Sequence, residues 1–182
     1  PQRPWWHWAL MPLLLCLALW SHPAEAALTT NSYDGNIYAL YAGNGSLVPP
    51  RSTLEQALAE QRPAVLVYYL DDASASKQFA PVVSELQRLW GNSIELIPLA
   101  TDPLQDRADA GPSDPAHYWT GVVPQVVVLA SDGSVLLNRS GQVPLLDLNT
   151  AIGKATGHPL SPSQASGTTV SFNELNSEVV QP

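Results

Sequence analysis

The chain is almost free of cysteine: of its 182 residues, Cys16 alone carries a thiol, and it lies in an apolar run near the N-terminus. If that run is removed on export, no sulfur nucleophile, disulfide or thiolate metal ligand remains, and the domain must stand on its core alone. Basic residues are scarce as well. The eight Lys and Arg are scattered singly against 16 Asp and Glu, giving a formal net charge of −8 and a pI near 4.7. Without a basic patch, a nucleic-acid backbone is excluded as a partner. His117 and His158 have no metal-ligand spacing with one another or with acids, so they read as surface histidines and no metal is expected. No internal repeat is apparent.

What is present is apolar. Hydrophobic residues make up 45% of the chain and charged residues 13%, enough for a packed core. Arg3 precedes Trp5 to Trp20, a run broken only by His7 and Pro12, and Ala24-Glu25-Ala26 follows as a small-x-small cleavage pattern. The run is short against the roughly 20 residues of a membrane span. A cleaved export signal over 1–26 is therefore expected, with a retained anchor through residues 5–20 as the alternative. Cys16 follows Leu15 rather than a small residue, which argues against a lipoprotein signal. The chain opens on Pro1 rather than Met, so a few residues are expected to precede it. A folded domain is expected over 27–158 and a flexible polar tail over 159–182.

Along the domain, Ala27 to Asp34 reads as an extended lead-in and Ile37 to Tyr41 as a first strand. Ser52-Thr53-Leu54-Glu55 is a capping-box pattern opening a helix with Leu54, Ala57 and Leu58 on one face. Ala64 to Leu70 is a continuous apolar run, the pattern of a central strand buried on both sides. Phe79, Val82, Val83, Leu86 and Trp90 recur at helical spacing from Ser76 to Trp90, with Pro81 inside. Ile94 to Leu99 is the next strand, and a short helix is expected from Asp114 to Trp119. Val126 to Ala130 and Val135 to Asn138 form a hairpin about Asp132-Gly133. Leu145, Leu148, Ile152 and Ala155 mark a last helix opened by Pro144. The expected order is β-α-β-α-β-α-β-β-α, with two parallel crossovers and a closing antiparallel pair.

That order resembles the thioredoxins. Val65 to Pro81 resembles their active-site strand, loop and helix, with Ala73-Ser74-Ala75-Ser76 and Lys77 where they carry Cys-Gly-Pro-Cys and Lys. Tyr118 to Pro124 resembles the loop whose cis-proline faces the dithiol, and Asp132-Gly133 matches the closing turn. The resemblance implies an α/β, thioredoxin-like fold: a central mixed sheet flanked by helices, with the redox cysteines absent. Asp72 replaces the tryptophan before the first cysteine, and Val67 the buried acid. Exchange requires a thiolate and a second, resolving thiol, so no catalytic residue and no cofactor are expected.

Asp34 to Arg51, Tyr69-Leu70-Asp71-Asp72 and Lys77 to Val83 resemble a narrower family, the thioredoxin-like thylakoid membrane photosystem I accumulation factors. This resemblance implies a non-enzymatic protein of the lumenal side of the thylakoid membrane, or of the soluble lumen or periplasm. Its partners would be photosystem I subunits or assembly intermediates. A divergent thiol–disulfide oxidoreductase and a structural lumenal subunit of a photosynthetic complex are the alternatives.

The residues expected to face a client are Asp71, Asp72, Ser74, Ser76, Tyr118, Trp119 and Pro124. Asp71 and Asp72 end the central strand, where open α/β sheets bind ligands. Adjacent residues on an extended chain point to opposite faces, a poor geometry for paired acid–base work. They and the two serines equally suit a helix start. Tyr118 and Trp119 suit either an exposed recognition pair or core packing.

Overall fold

The computed structural model describes residues 28–33 and 35–159. The expected signal or anchor with Cys16, Ala27, Asp34 and the expected tail beyond Pro159 lie outside the described residues. Among the described residues no helix is long and apolar enough to cross a membrane.

Strand β1 (Ala64–Tyr69) is buried at every position, as its unbroken apolar sequence predicts. It lies between β2 (Glu95–Ala100), which runs parallel to it, and β3 (Gln125–Leu129), which runs antiparallel. Strand β4 (Val135–Ser140) closes the order β2-β1-β3-β4 by pairing antiparallel with β3. The expected hairpin forms at Asp132-Gly133, where Gly133 takes a φ of 82° that a side chain would strain.

The sequence from Ile37 to Tyr41 is not a strand. It forms helix α1 (Ile37–Ala42), capped by the Asn36 side chain, which accepts from the Tyr38 N–H, and ended by Gly43 in the left-handed region. The aromatic run favours β structure, but these two caps and burial of Ile37, Tyr38 and Ala42 on one side favour a helix. The chain thus has one parallel crossover among the described residues, β1–α3–β2, where two were expected. Helix α2 (Leu54–Ala59) starts one residue later than expected: Thr53 and Gln56 form the capping box, while Ser52 donates to Glu95.

Helix α3 (Ser74–Trp90) runs through Pro81, and α4 (Leu145–Thr156) follows β4. With α1 they cover one face of the sheet, where Val65, Val67 and Tyr69 meet Phe79, Val83, Leu86, Leu148 and Ile152. Full burial of each such side chain contributes about 1.5–3 kcal/mol. The Trp90 indole N–H donates to Asn149 Oδ1 at 2.9 Å inside this layer, tying α3 to α4. Ala64, Leu66 and Tyr68 alternate to the other face, under α2 and the 101–119 connection. The result is the expected thioredoxin-like fold: a mixed four-stranded sheet between helices, without the cysteines.

Candidate functional site

The register of the sheet decides which candidates meet. Tyr68 of β1 stands opposite Gln125 of β3, so the loop leaving β1 and the residues entering β3 lie at the same end of the sheet. Asp71 to Ser76 and Pro124 are therefore neighbours. Gly141 N–H donates to Pro124 O (2.7 Å), and the next side chain, Gln142, donates to Ala75 O (2.8 Å), which bridges the two loops. The Val123–Pro124 bond is cis, as the resemblance implied.

The two aspartates do not cap the helix that follows them. The Asp71 carboxyl accepts the N–H of Ile37, at the start of α1, while its Oδ1 is buried without a partner. Burial raises its pKa above the usual carboxylate value; Asp102 and Asp72 add to this, while the Ile37 hydrogen bond and Lys77 oppose it. Asp72 is exposed. Tyr69 and Tyr38, edge to face at 5.1 Å, back this loop, and burial pushes the Tyr69 hydroxyl up to about 12.

The serines also differ from expectation. Ala73 occupies the cap position of α3 and offers no side-chain bond. The Ser74 N–H is instead met by Asn31 Oδ1 from the lead-in segment at 3.0 Å. Ser76 is buried, and its Oγ accepts from Leu70 N–H at 3.1 Å, which holds the loop against the helix. Among the described residues neither Ser74 nor Ser76 has a histidine as hydrogen-bond partner.

Tyr118 and Trp119 belong to the other face. Tyr118 is 7% exposed, and its hydroxyl donates to Pro112 O; Trp119 stacks on Tyr68 at 5.3 Å. Gln125, fully buried, holds this stretch by donating to Tyr118 O (2.6 Å) and accepting from Thr120 N–H (3.0 Å). Tyr118 is a core residue rather than an exposed anchor. The apolar side chain that does face solvent beside Pro124 is Val122, 52% exposed. Its position two residues before the proline was the signal available in the sequence. The Val123 backbone N–H and C=O enter no hydrogen bond among the described residues.

His117 pairs with Asp109 (2.9 Å), and among the described residues no cluster of His, Cys, Asp or Glu is suited to a metal ion; His158 is exposed. A polar recess of about 640 Å³ lies elsewhere, along the C-terminal half of α3 beside Asn44 and Arg51.

No family model matches the chain. It is 37% identical over 164 residues to the thylakoid membrane protein slr1796 of Synechocystis sp. (strain ATCC 27184 / PCC 6803 / Kazusa), covering 86% of this chain and 78% of that one. A solved structure of yeast mitochondrial 1-Cys peroxiredoxin superimposes with a TM-score of 0.40 at 16% identity, covering 57% of this chain and 84% of that one.

Proposed function

The chain belongs to the family of the Synechocystis thylakoid membrane protein slr1796, and on that premise we propose that it is a thylakoid protein that supports photosystem I accumulation by holding an extended client segment. It acts on the lumenal side, without a reaction of its own. Its clients are photosystem I subunits or assembly intermediates, and it is found with immature complexes rather than in fixed stoichiometry with mature ones.

One observation carries this reading. Beside the thiol-free loop, the cis-proline loop keeps a backbone N–H and C=O at Val123 without a partner among the described residues, next to the exposed Val122. Free main-chain groups flanked by an apolar side chain suit an added strand of polypeptide, with the main chain giving affinity and the side chain selectivity. Ala73 and Ser76 at the thiol positions leave nothing to attack a disulfide.

The test replaces exposed residues only: Val122→Asp with Asp72→Lys, expressed in the photosynthetic host in place of the natural chain. Photosystem I content, read as photo-oxidisable P700 per chlorophyll, should fall while the variant itself accumulates normally. Unchanged P700 at normal protein level refutes this face as the docking surface.

A further inference from the structure

The lead-in segment lies across the loop that the proposed client would approach. Asn31 Oδ1 takes the Ser74 N–H at the start of α3 (3.0 Å). Lys77, one turn further on and 0% exposed, donates to Ser32 O at 2.5 Å and to Thr30 O at 3.4 Å, with its ammonium 5.5 Å from the centre of the Tyr41 ring. A buried ammonium is tolerated only when its hydrogen bonds are met, and these carbonyls belong to residues more than forty positions away in sequence.

The segment that supplies them stays exposed to solvent. Every residue from Leu28 to Tyr33 is exposed, with Tyr33 at 74%. A stretch with no buried apolar side chain, fixed by polar contacts at the surface, opens at low free-energy cost. We infer that residues 28–33 form a removable strap: an exposed stretch of this chain that covers Lys77 and the start of α3 and must lift before a client segment can settle there. This rests on the client reading above and adds its regulation: the strap competes with the client, so apparent affinity is reduced by the closed fraction.

The chain offers a direct readout, because its two lysines are Lys77 and the exposed Lys154. Purified protein is acylated with an N-hydroxysuccinimide ester, and the two rates are followed by mass spectrometry. In the natural chain Lys77 should react at least tenfold more slowly than Lys154. Asn31→Ala removes one surface hydrogen bond, worth a factor of about five, and should speed Lys77 labelling by about that factor without changing Lys154. Equal rates for the two lysines in the natural chain, or no acceleration in Asn31→Ala, overturn the strap.

A second arm uses overlapping synthetic peptides from the lumen-exposed loops of photosystem I subunits. Peptides that bind should bind Asn31→Ala about fivefold more tightly. Unaltered affinity despite faster Lys77 labelling overturns the competition. Absence of peptide binding to either chain, with Lys77 labelling still accelerated, refutes the client reading and the competition together while the labelling still registers the strap as a cover.

Discussion

Replacing Asp71 by asparagine takes the charge from the one buried side-chain oxygen left without a partner among the described residues. Asp71 Oδ1 has no hydrogen bond, and the carboxyl as a whole accepts the Ile37 N–H that opens α1. Asparagine can keep the acceptor for Ile37; its amide then stands where the unpartnered oxygen was, so that place stays unpaired and what is removed is the charge. A buried group without a partner costs about 1–3 kcal/mol, and more when it is charged, and that excess is what asparagine removes. The side chain is only partly buried, so solvent screening places the effect at the low end. Asp71→Asn should therefore stabilise the fold at pH 7 by about 0.5–1 kcal/mol, with a rise in Tm of roughly 2–5 °C.

The pH dependence has a definite sign. Burial raises the native-state pKa of Asp71 above the ordinary value of 3.8. Its ionisation therefore opposes folding, and the stability of the aspartate chain is greatest below that value and is lost as pH rises through the raised one. The advantage of asparagine should vanish near pH 3.5, appear as pH rises past 4, and stay constant above the raised pKa. Urea denaturation of both chains from pH 3.5 to 8, followed by tryptophan fluorescence, measures it. A variant that is less stable at pH 7, or a difference that does not change with pH, refutes the reasoning. Asp71→Ala, which removes the acceptor for Ile37 as well, should be less stable than asparagine at every pH.

Two further substitutions probe the frame, one at this end of the sheet and one at the far end of α3. Gln125→Leu abolishes the bonds to Tyr118 O and Thr120 N–H from a fully buried side chain; it should cost about 2–4 kcal/mol in urea denaturation and expose Trp119 to quenching by iodide. Asn149→Leu leaves the buried Trp90 N–H without its 2.9 Å acceptor and should cost about 1–3 kcal/mol. Adding Trp90→Phe should then cost less than it does in the natural chain, a coupling that a double-mutant cycle reads directly.

The sequence states the sheet well and the lead-in poorly, for reasons that lie in range. β1 is written in six consecutive apolar residues, and the β3–β4 hairpin in Asp132-Gly133, both local signals. Ile37 to Tyr41 misleads because its β-favouring side chains are outweighed by Asn36 and Gly43, single residues just outside the run. Tyr118 turns inward because its hydroxyl finds Pro112 O and Gln125 takes its carbonyl, contacts that no spacing announces. Lys77 is recognisable from the resemblance, but its partners Thr30 and Ser32 are not, since only folding brings them near. Val122 is legible only from its place beside Pro124, because the nearby Tyr118 and Trp119 carry the stronger interface signal in sequence.

The contact between Asn31 and Ser74 also bears on which way the molecule points. Trp20, the end of the apolar run, is eleven residues from Asn31, a reach of at most about 40 Å for a taut chain. Were that run to stay in the bilayer, the end of the sheet where α3 begins would hang within that leash of the lipid. A fusion tag placed just ahead of residue 28 would crowd the same end.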